Sequence, residues 1–554
     1  MTMTGTIRST GRTRRDRHNR WAIPLLVVGG VLAAGCRSNE SLSNAGIDRK
    51  PPVTTQPAAT VPTPPPTSAA PPVTLAPGET LPPGETLPPA TTAPQTTPTT
   101  ATTMPPPTTV PTLLDALPKC DTTALDASSG TVDITFWHAL SNVNGDTLQK
   151  LTDQYNASQT KVHVNLEFQG GYDENIDKYL QSDTGNRPDM VQMPEYMVQQ
   201  MVDTKSLVPT QACAESAGTD LSQFLPSALE AYATQGVQWS MPFNVSVPVL
   251  FFLKPTFVRA GLDPDNPPQT LDDLLAASKQ IVSSGAATYS VALDSDFDGG
   301  GGWYVEQWLA KGGNFYADNE NGRAAPATRV LYDEAPGVGL LTYLKQLVDE
   351  GGAVYVGDNA SGTDTLLKLA DATAPAAMAV STSASLGPVF AALGGGLIPG
   401  ITADDVGVGF MPGPNGGLGA LVGGASLYIV DKGNDAKAAA AWDFITYLDS
   451  AQSQSQFTAD TGYIPLRQDA LDLDPIKSKY ASDARYKVAY DQLLGSADAP
   501  TSLGPVIGPL EQVRKVTAAA VADVLTGGDP QTALSKAAQA ADDLIANYAL
   551  ANGG

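Results

Sequence analysis

Histidine and cysteine are scarce in this chain, three of each in 554 residues. His18 lies in a basic N-terminal stretch and His163 within an alternating strand pattern. That leaves His138, in "TFWHAL", as the one histidine at a strand end. No HExxH, GxSxG, Walker A or paired-cysteine metal spacing occurs, which removes the commonest zinc, serine-hydrolase and nucleotide-hydrolysing chemistries. Basic residues are also few, 33 against 57 acidic ones, for a formal charge of −24. Such a surplus opposes nucleic acid and anionic lipid surfaces. The N-terminal apolar stretch, Trp21 to Gly35, has only 15 residues, where a spanning helix needs about 20.

What is present begins with Arg8, Arg12, Arg14, Arg15, Arg17 and Arg20 against the single acid Asp16. The apolar stretch follows, and small residues lead to Cys36 in "VVGGVLAAGCRSNE". Basic head, short apolar body and small-residue end describe an export signal. Ala33-Ala34-Gly35-Cys36 resembles the bacterial lipobox, in which cleavage precedes a cysteine that carries lipid; Leu32 stands one residue earlier than in the commonest form. The reading adopted is a lipoprotein signal over 1–35, with lipid on Cys36 anchoring the chain to the outer face of the bacterial cytoplasmic membrane. An ordinary signal peptide cut nearby, with Cys36 incidental, is the alternative. Loss of residues 1–35 removes six arginines and one aspartate, taking the charge from −24 to −29. One local arginine can still hold a small anion, because distant charges are screened beyond about 8 Å.

From about Lys50 to Pro118 the composition is mostly Pro, Thr, Ala and Val, with the near-repeat "APGETLPPGETLPPAT". So little apolar surface does not offset the entropy of ordering, so 36–119 is expected to remain unfolded. Its prolines favour extended polyproline II, rising roughly 3.1 Å per residue, and the segment reads as a stalk.

The remaining 120–554 exceed what one core usually holds, so two lobes are expected. In an oxidising compartment Cys120 and Cys213 are expected to pair; two separate thiols are the alternative. "VDITFW" and "KVHVNLEF" alternate as half-buried strands do, with helical spacing between them in "NGDTLQKLTDQYNAS". "SVPVLFFL" reads as a strand buried on both faces. "QTLDDLLAASKQIVSSG" predicts a helix capped by Thr270 with Asp273 three residues on, and "DAKAAAAWDFITYL" another with Ala441, Phe444, Ile445 and Leu448 at core spacing. Alternating strands and helices argue an α/β fold with mainly parallel sheets. "GVGFMPGPNGGLG" reads as a loop or hinge, and Asp272-Asp273 as a helix start. A carboxylate pair assembled from distant segments leaves no spacing to find, so a secreted hydrolase is kept as an alternative.

The stretch "MPFNVSVPVLFFLKPTFVRAGLDPDNPPQTLDDLLAASKQI" resembles the extracellular solute-binding proteins (family 1) of bacterial ABC importers, in particular their glycerol-3-phosphate-binding branch. The likeness continues in order through "TFWHAL", "GGYDENI", "RPDMVQMPEY", "VGGASLYIV", "DTGYIPLR" and "EQVRKV". The resemblance implies a two-lobed, hinge-bending periplasmic-binding-protein-like fold, with lobe one at about 129–241 and 421–460 and lobe two at about 245–415 and 465–550. It implies a monomer that binds glycerol-3-phosphate or a glycerophosphodiester in its cleft and delivers it to an ABC permease, with no cofactor, metal or catalysis. An oligosaccharide is the alternative ligand.

By the same resemblance, Tyr172 and Glu195 match positions holding glycerol hydroxyls, and Ser246 matches a hydroxyl contact from the second lobe. Gly424 matches a backbone N–H donor, while Tyr463 and Arg514 match the phosphate-recognising pair. Arg suits that task because its planar fork gives paired charged hydrogen bonds to phosphate oxygens. Thr382 stands where the family has a serine. In "DSDFDGGGGWYVEQW" the branch has two tryptophans walling the glycerol; here only Trp303 remains, with glycines 299 to 302 before it. A ring lost to glycine is expected to open space for a larger ligand such as glycerophosphocholine.

Overall fold

The alternating runs pair as parallel strands, Val132–His138 beside Val162–Phe168, with Val132 opposite Val162 and His138 opposite Phe168. Helix Asn142–Ser158 makes the crossover between them. The computed structural model describes residues 113–359 and 362–553; the expected export signal, Cys36 and the expected stalk as far as residue 112 lie outside the described residues.

Two sheets carry the architecture. The six-stranded sheet runs Val162–Phe168, Val132–His138, Met190–Pro194, Gly423–Val430, Leu207–Val208, with Met241–Ser246 also pairing with Gly423–Val430. The five-stranded sheet runs Val354–Tyr355, Tyr289–Leu293, Ala376–Thr382, Pro248–Leu253, Val406–Phe410. The expectation of mainly parallel sheets is corrected: both are mixed. Gly423–Val430 is antiparallel to Met190–Pro194, and Pro248–Leu253 is antiparallel to Ala376–Thr382 and Val406–Phe410. Each of these strands arrives from the other sheet, so its direction is not set by a crossover helix within its own sheet.

The chain passes between sheets at Val247, through residues 411–422, and again near 462–467, where Ile464 N donates to Val245 O at 2.8 Å. Pro248–Leu253 is buried at every position, as its unbroken apolar run requires. Helix Leu271–Ser283 has the predicted capping box: Asp273 N donates to Thr270 Oγ1 and Thr270 N to Asp273 Oδ2, both at 3.0 Å. In helix Asp435–Leu448, Ala441, Phe444, Ile445 and Leu448 are fully buried. Cys120 and Cys213 are bonded, S–S 2.09 Å and Cα–Cα 4.9 Å, across 93 positions of sequence. Closing such a loop stabilises the fold by about 4–5 kcal/mol on the chain-entropy model.

Candidate functional site

Most of the candidate residues sit at ends of strands or starts of helices, where an α/β sheet leaves its crevice. Tyr172 opens helix Tyr172–Gln181, and Glu195 follows strand Met190–Pro194 directly. Ser246 and Thr382 end strands Met241–Ser246 and Ala376–Thr382, and Gly424 is the second residue of strand Gly423–Val430. Trp303 opens helix Trp303–Lys311, Tyr463 follows the left-handed Gly462, and Arg514 lies on helix Leu510–Leu525.

Arg514 is the centre of the arrangement and is 1% exposed. Its Nε and Nη2 donate to Glu306 Oε1 and Oε2 at 2.7 and 2.8 Å, and its Nη1 donates to Asp298 Oδ1 at 3.2 Å. Glu195 Oε1 stands 2.9 Å from Nη2 as an ion pair without hydrogen-bond alignment. The guanidinium also lies over the Tyr196 ring at 5.1 Å. One cation thus faces three carboxylates. Burial raises the pKa of Glu195, opposed by Arg514 and reinforced by Glu306. Burial and then the Glu195 charge push Asp298 upward. Burial alone would lower the pKa of Arg514, but Glu306 and Glu195 hold it well above its ordinary value.

A polar relay ends at Tyr172. Ala139 N donates to Gln192 Oε1 at 2.8 Å, Gln192 Nε2 to Asn244 Oδ1 at 2.7 Å, and Asn244 Nδ2 to the Tyr172 hydroxyl at 3.0 Å. The Tyr463 hydroxyl lies beside Asn244 and Asn144; burial raises its pKa to about 12. Its ring stacks on Phe457 at 5.4 Å, so it serves the core as well. The Trp303 ring covers Gly423, where an added Cβ would stand 2.1 Å from Cζ2, and its buried Nε1 has no partner. Gly424 has φ +87°, and a Cβ there would stand 1.9 Å from Asn244 O. Ser246 is buried, its backbone opposite Gly423.

The structure therefore joins Glu195 with Arg514, Tyr172 and Tyr463 around Asn244, and Ser246 with Gly424. Thr382 stands apart from these contacts: its hydroxyl accepts from Ala384 N at 3.3 Å and caps the turn Ser383–Ser385.

Against the expectation of a fork free to hold phosphate, Glu306 closes Arg514. The glycines 300 to 302 are required by the winding of their own loop. A Cβ at Gly300, Gly301 or Gly302 would stand 2.4, 2.4 and 2.0 Å from the carbonyl oxygens of Asp294, Ser295 and Phe297. The loop winds on itself around Asp294 Oδ1, which accepts from Asp296 N and Gly300 N. Burial raises the pKa of Asp294 to about 7 and that of Asp296 to about 6. The same loop supplies Phe297, edge-on to Tyr196 at 5.9 Å. Asn244, Gln192, Tyr196, Phe297, Asp298 and Glu306 were not singled out from sequence. Glu306 had one usable signal, its place three residues after Trp303 on one helix face.

A family model described as bacterial extracellular solute-binding protein matches residues 150–484. The sn-glycerol-3-phosphate-binding periplasmic protein UgpB of Escherichia coli K12 is similar at 26% identity over 426 residues, covering 75% of this chain and 93% of that protein. Among solved structures, UgpB from Mycobacterium tuberculosis in complex with glycerophosphocholine is similar with a TM-score of 0.61 and 21% identity, over 76% of this chain and 100% of that one. The cyclic alpha-maltosyl-1,6-maltose binding protein from Arthrobacter globiformis is similar with the same TM-score, identity and coverage. At these identities the two structures establish the periplasmic-binding-protein-like fold.

Proposed function

The chain belongs to the bacterial extracellular solute-binding proteins, and from that premise we propose that its cleft takes a glycerophosphodiester of low net charge, such as glycerophosphocholine. As a member of this family it is a solute-binding receptor of ABC importers, not an enzyme. The two sheet-based halves act as lobes, with the ranges given above. Closure over the ligand is a population shift driven by its greater affinity for the closed form.

The observation that carries the ligand reading is the ring of Glu195, Asp298 and Glu306 around Arg514. A phosphomonoester such as glycerol-3-phosphate brings nearly two negative charges toward three carboxylates and one guanidinium. A phosphodiester brings one, and a cationic head group offsets it, so the same ring opposes it far less. Tyr172, Glu195 and Tyr463 then serve the glycerol hydroxyls and phosphate, with Trp303 and Gly424 as wall and donor. Ser246 contributes a hydroxyl, and Thr382 shapes the turn behind it. The names of the glycerol-3-phosphate and glycerophosphocholine relatives support the same class.

A second reading, an oligosaccharide, is favoured by a different observation. The guanidinium is already neutralised by Glu195, Asp298 and Glu306, which leaves less call for a phosphate and suits the neutral or acidic hydrogen bonding of a sugar. Calorimetric titration of the full chain with glycerophosphocholine, glycerol-3-phosphate and maltose separates the readings. Saturable binding of glycerophosphocholine, weaker for glycerol-3-phosphate and lost in Arg514→Ala, is expected. Binding of maltose alone overturns the phosphodiester and leaves the receptor.

We also propose that lipid on Cys36 holds a monomeric receptor at the membrane beside its permease. Cys36→Ala should release the protein into the medium; retention on the cells would count against the anchor.

A further inference from the structure

The crossing from the second sheet back to the first is the glycine-rich stretch "MPGPNGGLGALV", residues 411–422. Its backbone is built to bend: Gly416 and Gly419 have φ +129° and +82°, a region open to glycine. Yet helix Trp303–Lys311 bonds to it from Pro412 to Leu421, while Gln492 and Ser496 bond to Met411, Gly419 and Ala420. Trp308 Nε1 donates to Pro412 O at 2.9 Å. Lys311 Nζ donates to Gly417 O at 2.7 Å, to Leu418 O at 3.2 Å and to Gly419 O. Gln307, fully buried, makes a two-way bridge to Leu421, its Nε2 donating to the carbonyl at 2.9 Å and its Oε1 accepting from the amide at 2.8 Å.

Both ends of the crossing are sealed on the same helix. A Cβ at Gly413 would stand 2.7 Å from Lys311 Cδ, and one at Gly423 would stand 2.1 Å from Trp303 Cζ2. The helix also reaches the candidate site, since Glu306 closes the Arg514 fork and Trp303 precedes it by three residues. A segment with a hinge's glycines is therefore denied a hinge's freedom by side chains whose helix carries the site.

We propose that Gln307 and Lys311 are positioning residues that yoke the 411–422 crossing to helix Trp303–Lys311, so that seating of a solute is read at the joint between the two sheets. The inference rests on the cleft being the solute site. Physically, a ligand that alters the Glu306–Arg514 pair shifts the helix, and five hydrogen bonds to backbone carbonyls and one from a backbone amide carry the shift to the crossing. Bending then concentrates at Val247 and near 462–467.

The test is hydrogen exchange of the full chain, read over residues 413–421, with and without glycerophosphocholine. In the natural protein the ligand should slow exchange there. In Gln307→Leu and Lys311→Met that ligand-dependent slowing should vanish and affinity should fall about tenfold, a usual size for such coupling. A purely structural role would speed exchange in both states and leave the ligand-dependent difference intact, and that result overturns the proposal. If glycerophosphocholine does not bind, the ligand reading fails, and maltose takes its place in the same experiment. A ligand-free arm keeps the yoke testable by itself and in variants that fold poorly: Glu306→Gln, at the site end of the helix, should change exchange at 413–421. No change there would sink the yoke whatever the ligand.

Discussion

Arg514 and Glu306 form a closed pair from segments 208 residues apart, guanidinium and carboxylate joined by hydrogen bonds of 2.7 and 2.8 Å, each side chain 1% exposed. Breaking a buried pair from one side leaves a charge without compensation. Arg514→Ala should therefore destabilise the protein by about 3–5 kcal/mol and abolish phosphodiester binding. The double variant Arg514→Met, Glu306→Leu should recover part of the stability and none of the binding. Urea unfolding with calorimetry checks both; equal stability of single and double variants would refute the argument.

Gly424→Ala meets two obstacles, a φ of +87° and a carbonyl 1.9 Å from the new methyl. The obstructing carbonyl belongs to Asn244, whose amide holds Tyr172. A loss of about 1–3 kcal/mol from overpacking, on top of left-handed strain of about 1–2 kcal/mol, is expected, together with weaker ligand binding. Gly433→Ala is the control: its φ is +63° with nothing within 4 Å, so only the left-handed strain of about 1–2 kcal/mol applies. Thermal melts of the two variants should differ in that order, with affinity altered only in the first.

Two buried groups set opposing pH slopes. Both carboxylate oxygens of Asp449 are buried without a partner, and burial holds its pKa well above the ordinary range, partly offset by Arg467. Below the unfolded pKa both states carry the proton. Above it the unfolded chain loses the proton while the fold keeps it, so stability declines as pH rises. Asp449→Asn should remove that decline and raise the melting temperature at neutral pH. His138 behaves oppositely: burial lowers its pKa from 6.5 to about 4. The unfolded chain takes up a proton that the fold refuses, so stability falls as pH drops from 6.5 toward 4. Melting curves between pH 4 and 8 for the natural protein and Asp449→Asn read both slopes; superimposable curves would refute the Asp449 term.

Cys120 and Cys213 tie the start of the folded body to helix Thr210–Ala217. Replacing both by serine should cost about 4 kcal/mol on the chain-entropy model, seen as a lower urea midpoint. Reductant should produce the same shift in the natural protein and none in the variant.

Much of the fold was legible because it is written locally. Thr270 and Asp273 announce a helix start three residues apart, and Pro248–Leu253 announces a buried strand by having no polar residue. Sheet direction was not legible in that way, since Gly423–Val430 and Pro248–Leu253 each enter from the other sheet and no local pattern records where a strand comes from. In the site, a family resemblance located Glu195 and Arg514, which the structure pairs at 2.9 Å. It did not locate Glu306 or Asp298, whose places around Arg514 depend on how a glycine loop winds.

Composition and short-range pattern were enough to determine an α/β body, the capped helix Leu271–Ser283 and the buried strand Pro248–Leu253, because each depends on residues within a few positions of one another. Packing in three dimensions alone decided the charge of the candidate site. Whether Arg514 offers an open fork or one closed by Glu306 is settled by side chains that meet across more than 200 residues of chain, in a space where burial makes every unpaired charge costly.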